Sequence, residues 1–88
     1  MATITTSLKE SGWSETTDGK AIEKSFRFST FRDALAWMVR ASFEIEAVNH
    51  HPEWSNVYNR IEVRLTTHDA GGLTEKDIDL AKVLDGLG

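Results

Sequence analysis

The chain has 88 residues, enough for one domain (1–88) with one modest hydrophobic core. It contains no cysteine, which excludes disulfides and thiolate metal sites and makes a cytoplasmic, metal-free protein the simpler prediction. Its net charge is -4 without a long basic run, which argues against direct nucleic-acid binding, and no apolar stretch approaches the roughly 20 residues of a membrane span.

The first third of the sequence predicts a β-hairpin. Residues 1–12 have little apolar pattern and no basic-then-apolar export signal, so we expect an irregular segment or at most a short element. A β-like run from Trp13 to Thr17 precedes Asp18-Gly19, a dipeptide that commonly closes a two-residue hairpin. From Ala21 to Phe28 apolar and polar side chains alternate, which predicts a second strand with one buried face.

A long amphipathic helix is predicted next. Thr30 stands three residues before Asp33, the spacing of a capping box at a helix start. Apolar residues then recur at three- and four-residue steps and form a stripe wide enough to cover a sheet. Pro52 lacks an amide hydrogen and disfavours helical geometry at His51, so the helix should end near Asn49.

The following segment predicts two strands or one strongly bent strand. The runs Trp54 to Tyr58 and Ile61 to Thr67 have the composition and alternation of strands, with a turn or bulge at Asn59-Arg60. The composition of residues 70–72 predicts a loop after them.

The last segment predicts a second helix. Thr74 and Asp77 repeat the cap spacing, and a helical row of mainly apolar residues then continues to Leu87. The complete order is β-β-α-β-β-α. It predicts an α+β fold, an antiparallel sheet of three to four strands with helices packed on one face.

All three histidines, His50, His51 and His68, fall in one stretch of the second half. Imidazole titrates near neutrality, which suits proton transfer. Adjacent side chains point apart on a regular element, so only irregular backbone, such as that at Pro52, would let both members of the pair face one pocket. Three imidazoles could bind zinc, but adjacent ligands have poor geometry. All three could equally be ordinary surface residues.

Four motifs follow one another across this stretch. They are Glu46-x-x-x-His50-His51-Pro52-x-Trp54, Val57-Tyr58-Asn59, Leu65-x-Thr67-His68-Asp69 and Gly72-Leu73-Thr74-x-x-Asp77. Together they closely resemble the pterin-4a-carbinolamine dehydratase family. The match covers more than a third of the chain without a gap, and Gly12-Trp13, Phe26-x-Phe28 and the Phe31-led helix extend it to about three quarters.

The resemblance implies a dehydratase that removes water from 4a-hydroxytetrahydropterin to give quinonoid dihydropterin. This reaction supports recycling of the pterin that aromatic amino acid hydroxylases use, and it needs no metal or organic cofactor. Loss of the hydroxyl requires a proton for the departing oxygen and removal of another from a ring nitrogen, both of which an imidazole can perform.

The resemblance also assigns the site residues. Catalytic and pterin-holding roles fall to His50, His51 and His68, and we expect His51 and His68 to face the hydroxyl and the ring edge, with His50 as the alternative acid. The others are the pocket residues Asn49, Thr66, Thr67 and Asp69 and the supporting residues Glu46, Trp54 and Asp77. Structural roles remain open for the supporting group, since Asp77 suits a helix start and Trp54 suits a core.

The sequence departs from the family pattern in two places. Asn49 stands where relatives often have an aspartate, so a carboxylate that could favour a charged imidazole is missing. The N-terminal part also looks shorter than the usual leading helix.

Family members form dimers or tetramers, and the wide apolar stripe fits a homo-oligomer. Two other functions stay open: an enzyme for another reduced pterin, and a protein-binding module that stabilises a transcription-factor dimer.

Overall fold

The computed structural model describes residues 2–87, which form an antiparallel sheet with helices on one face. The elements in chain order are α1 (Thr6–Glu10), β1 (Ser14–Glu15), β2 (Ile22–Arg27), α2 (Phe31–Val48), β3 (Glu53–Val57), β4 (Arg60–Leu65), a 3₁₀ turn (His68–Ala70) and α3 (Glu75–Gly86). The four strands lie in the order β1-β2-β4-β3. The predicted α+β fold and its element order are therefore confirmed.

The register of the sheet separates an inner face from an outer face. Ile22 of β2 pairs with Leu65 of β4, and Phe26 pairs with Ile61, so these apolar side chains share the face that the helices cover. The alternate positions point away from the helices and are mostly polar. On this outer face Arg64 of β4 is the partner both of Glu23 on β2 and of Glu53 on β3.

The break in the second predicted β run lies one residue earlier than expected. The loop between β3 and β4 is Tyr58-Asn59, and Tyr58 has a positive φ of 53°. The side-chain amide of Asn56 donates to the carbonyls of Tyr58 and Arg60, at 3.1 and 3.0 Å. These bonds tighten the turn and fix its position.

The first hairpin has a longer connection than the Asp18-Gly19 pair suggests. Pairing of β1 with β2 stops at Glu15 and Ile22, and the Thr16 amide then bonds the Ala21 carbonyl at 2.9 Å. The prediction of a two-residue loop was wrong because the side chain of Asp18 organises a wider turn.

Helix α2 begins and ends where the sequence places it. The Thr30 hydroxyl accepts from the Asp33 amide at 3.1 Å, and Asn49 ends the helix in the left-handed conformation, with φ 50°. The buried positions are Ala34, Trp37, Ala41 and Ile45.

The apolar surface of α2, which the sequence analysis found wide enough to cover a sheet, is only partly buried. Phe31, Leu35, Val39 and Phe43 follow one another at four-residue steps and are 45%, 45%, 52% and 72% exposed. We call these four residues the α2 stripe. Val48, the last residue of α2, is exposed as well.

The N-terminal segment contains the short element that the sequence left open. The Thr5 hydroxyl caps α1 by accepting from the Leu8 amide at 3.2 Å, and Leu8 is buried. Trp13, which follows α1, is also buried and meets the ring of Phe26 edge to face, with 5.9 Å between centroids. The segment thus adds to the core despite its few apolar residues.

Asp85 fastens α3 to this N-terminal segment and to the sheet. Its carboxylate accepts from the Ser11 hydroxyl at 2.7 Å, the Trp13 indole at 3.1 Å and the Lys24 ammonium at 2.7 Å. Lys24 and Asp85 are both mostly buried, so water screens this ion pair less than a surface pair.

Across residues 2–87, none of the helices combines the length and apolar character needed to cross a membrane.

The Asp18 carboxylate predicts a pH-dependent contribution to stability. The Thr16 hydroxyl donates to it at 2.7 Å and the Lys20 amide at 3.0 Å, and these bonds lower the pKa of Asp18 from its ordinary value of 3.8. A lowered folded-state pKa stabilises the protein fully above the ordinary pKa, and this contribution is lost as the pH falls through the folded-state value.

We expect wild type to lose more stability than Asp18→Asn when the pH falls from about 5 to about 2, because the neutral amide has no charge to lose. Urea unfolding at a series of pH values measures the difference. Asp79→Asn, at an exposed position on α3, is the control. Parallel pH dependence in wild type and Asp18→Asn would contradict the assignment.

Candidate active site

Asp77 is the buried charged residue at the centre of the site. Its side chain has no exposed surface, and its Oδ1 lies 2.6 Å from Nε2 of His50. Its Oδ2 accepts from the Thr67 hydroxyl at 2.8 Å and the Thr74 amide at 3.0 Å. Burying a carboxylate is costly unless it is paired and hydrogen-bonded, and these contacts satisfy it. The positive end of the α3 dipole adds to them.

Local sequence explains how these groups meet. Thr74 caps α3, so its amide would lack an intrahelical partner, and Asp77 supplies one from three residues ahead. Asn49 tolerates the left-handed conformation that most residues avoid. It therefore ends α2 abruptly and lets the chain turn so that His50 reaches Asp77. Asn49 therefore has a structural role at the exit of α2.

His51 lies beside a small cavity of about 120 Å³ at the end of α2. The cavity is lined by Glu46 and Trp54, together with Ser42, Ile45 and Pro52. Trp54 packs on Trp37 with 6.4 Å between ring centroids, so it belongs to the core and also forms a wall of the cavity. The core and pocket roles considered for Trp54 are therefore compatible.

His68 directly follows Thr67 in the chain. It is mostly solvent-exposed, with 89% of its side chain accessible. It begins the 3₁₀ turn after β4, which backbone bonds between Thr67 and Gly72 close at 3.0 and 3.3 Å. Its Nε2 is 3.9 Å from Oε1 of Glu53. Glu53 occupies the unspecified position of the His-His-Pro-x-Trp motif, so the motif did not indicate it as a neighbour of His68.

The predicted site residues thus fall into three neighbouring groups. His50 joins Asp77 and Thr67, His51 joins Glu46 and Trp54, and His68 faces Glu53. Thr66 donates its hydroxyl to the Lys20 carbonyl at 2.7 Å, and Asp69 is exposed on the 3₁₀ turn. Within residues 2–87, neither Thr66 nor Asp69 bonds a histidine through its side chain. No cluster of three or more histidine, aspartate or glutamate side chains there could hold a metal ion.

The arrangement can support proton transfer. One imidazole, that of His50, is held by a buried carboxylate, and the other two, those of His51 and His68, are exposed and accessible to a ligand. The indole of Trp54 offers an aromatic surface beside His51, suited to a flat ring.

The fold is that of a known class of proteins, the pterin dehydratases. A crystal structure of a transcriptional coactivator/pterin dehydratase from Brucella melitensis matches the chain with a TM-score of 0.85 at 36% identity, covering 98% of both chains. The chain belongs to the pterin-4a-carbinolamine dehydratase family. The family model, described as pterin 4 alpha carbinolamine dehydratase, matches residues 1–87.

Two curated relatives agree with this membership, and each is provisionally named a pterin-4-alpha-carbinolamine dehydratase. The relative from Opitutus terrae is 60% identical over 72 residues, which span 81% of this chain and 72% of the relative. The relative from Rhizobium meliloti is 52% identical over 77 residues, which span 88% and 74%.

A more distant structure shares the fold. It is a pterin dehydratase-like protein identified as a RuBisCO assembly factor in the α-carboxysome, with a TM-score of 0.75 and 18% identity over 86% of this chain and 88% of its own.

Removing the Asp77 carboxylate should destabilise the protein strongly. Asp77→Ala leaves the His50 ring, the Thr67 hydroxyl and the Thr74 amide without their acceptor, so we expect a loss of about 2–4 kcal/mol in the free energy of unfolding. Urea unfolding followed by tryptophan fluorescence measures it. Asp79→Ala, two residues further along α3 and exposed, should change stability by less than about 0.5 kcal/mol. Equal losses in both variants would refute the role of Asp77.

Proposed function

We propose that the protein dehydrates a 4a-hydroxytetrahydropterin to quinonoid dihydropterin and water, by histidine acid–base catalysis in the cytoplasmic recycling of tetrahydropterin. The observation that carries the proposal is the buried Asp77–His50 pair, adjacent in the chain to His51 and linked through Thr67 to His68. Family membership supports the reaction class.

The reaction moves two protons. The bond between C4a and the hydroxyl oxygen breaks as an imidazolium donates a proton to that oxygen, which leaves as water. The adjacent ring nitrogen loses its proton while its electron pair forms the new carbon–nitrogen double bond. Positioned acids and bases typically accelerate such steps by about 10²–10⁴-fold. We assign these two transfers to His51 and His68.

His50 serves as the alternative acid. One of its ring nitrogens is engaged by Asp77, and imidazole has a second nitrogen for substrate. The buried carboxylate would orient the ring and stabilise its charged form during proton transfer.

The remaining residues hold the pterin. Trp54 and Glu46, which line the His51 cavity, would contact the ring. Asn49, Thr66, Thr67 and Asp69 would complete the pocket on its other sides. No metal or organic cofactor takes part in the proposed reaction, because imidazoles can make both proton transfers.

The enzymatic proposal is tested by dehydration of freshly generated 4a-hydroxytetrahydropterin, followed by ultraviolet absorbance with a chelator present. We expect acceleration by wild type and a fall of about 10²-fold in His51→Ala and His68→Ala, with a smaller fall in His50→Ala. Lys82→Ala, at an exposed position of α3, is the surface control. Wild-type turnover in all three histidine variants would refute the site, and a folded but inactive wild type would refute the reaction.

We also propose that the α2 stripe is the contact between copies of this chain. Its four apolar residues form a continuous exposed row on one helix. Rows of this kind are uncommon on monomeric proteins. A two-fold contact needs a surface that complements itself, and two antiparallel α2 helices would bring the stripe of one copy onto that of the other.

A charge in the α2 stripe should disrupt the oligomer. Leu35→Glu places a carboxylate where the proposed contact excludes water, so we expect a shift to monomer in analytical ultracentrifugation. Ala36→Glu is the matched control, since the next residue along a helix lies about 100° further around it. A monomeric wild type, or one mass for wild type and both variants, would contradict the proposed contact.

The second candidate function is a protein-binding module on the same fold. The exposed α2 stripe favours it, because a helical partner could occupy that surface without using the histidines. The Brucella melitensis relative is described as a transcriptional coactivator as well as a pterin dehydratase. Capture of a single helical partner by wild type and His51→Ala alike, with loss of capture in Leu35→Glu, would favour this function.

A further inference from the structure

A row of alternating charge crosses the outer face of the sheet. Glu23, Arg64 and Glu53 are direct cross-strand partners on β2, β4 and β3. Arg64 reaches Glu53 with its Nη1 at 3.3 Å and Glu23 with its Nε at 3.8 Å. Arg64 is therefore held between two carboxylates.

The row ends at a histidine of the proposed site. Oε2 of Glu53 accepts from Arg64, and Oε1 of the same carboxylate lies 3.9 Å from Nε2 of His68. Glu53 and Arg64 stand on paired strands, whereas His68 lies on a 3₁₀ turn. Because paired strands constrain the backbone more than a turn does, Glu53 is the more rigidly held of the two residues.

The row also lies near Trp54, whose indole itself packs on Trp37 on the inner face of the sheet. All three charged residues line an open groove of about 740 Å³ on the sheet, and Trp54 lines the same groove. Glu53 is therefore next to Trp54 in the chain and close to His68 in space.

We propose that Glu53 is a positioning residue that orients the His68 imidazole for dehydration, and that Arg64 holds Glu53 in place. The inference rests on the proposed function. The 3.9 Å separation is an ion-pair distance and is longer than a hydrogen bond, so the contact must shorten when substrate binds. A carboxylate that then accepts a hydrogen bond from one ring nitrogen fixes the tautomer and directs the other nitrogen to the substrate.

The strength of this contact depends on water. In the free protein both side chains are more than half exposed, so solvent screens the attraction and it contributes little to stability. A pterin bound over His68 would displace that water and strengthen the contact. The effect should therefore fall on the chemical step, in kcat, and leave KM and folding almost unchanged.

Glu53→Gln tests the proposal in the dehydration assay, because it keeps the shape of the side chain and removes its charge. We expect kcat to fall about tenfold with KM within about twofold of wild type. The matched control is Glu62→Gln. Glu62 is on the same outer face and is similarly exposed, but it pairs with Arg60. Equal kcat in the two variants would overturn the proposal.

Arg64→Gln tests the second half of the inference. We expect a smaller loss of kcat than in Glu53→Gln, and we expect the double variant to be no slower than Glu53→Gln alone, because both changes act through one contact. Additive losses would overturn the role of Arg64 as the support of Glu53.

A spectroscopic measurement separates this inference from the proposed function. The chain has only three histidines, so each ring Cε1–H signal can be assigned by substitution. With 7,8-dihydropterin added as the probe, Glu53→Gln should change the His68 signal and leave that of His50 unchanged. An inactive wild type would refute the reaction, and the His68 signal would then decide by itself whether Glu53 orients the ring. An unchanged signal would overturn the orientation.

Discussion

The carboxylate of Asp77 has no exposed surface, so its hydrogen-bond partners must come from within the protein. They lie on three separate segments of the chain. His50 comes from the exit of α2, Thr67 from the end of β4 and Thr74 from the cap of α3. Because a buried charge tolerates little loss of contact, these three segments are constrained to meet at one point. The places of His51 and His68 follow from that constraint, since each is next in the chain to a residue that Asp77 binds.

The three histidines consequently have different surroundings. His50 is mostly buried and touches a carboxylate, His51 borders an aromatic wall, and His68 is open to solvent at the end of the sheet. In the proposed reaction, these surroundings would give identical side chains different parts. The differences arise from separate features of the fold. The cap of α3 supplies the carboxylate beside His50, and the packing of Trp54 on Trp37 forms the wall beside His51. The register of β3 with β4 places Glu53 near His68.

Local signals explain which parts of this structure could be predicted from sequence. The ends of α2 were predictable because Thr30 and Pro52 constrain the backbone next to them. The loop at Tyr58 is held by the bonds of Asn56 within the hairpin and by those of Asn59 to the distant backbone of Phe28, and no local pattern reveals the second set. The periodicity of α2 showed an apolar surface but could not say whether the sheet or another molecule covers it. Glu53 was missed because its meeting with His68 depends on strand register.

The contacts of Asp85 also affect the order in which the elements should fold. Its bonds to Ser11 and Trp13 join residues 74 and 72 positions apart, and the bond to Lys24 spans 61. Contacts of such long separation form only after a large loop has closed, so docking of α3 should come late. The same helix carries Asp77 near its other end. A chain whose sheet has formed but whose last helix has not yet docked would contain all three histidines but lack the contact between His50 and Asp77. The indole of Trp13, which bonds Asp85, would report the docking of that helix.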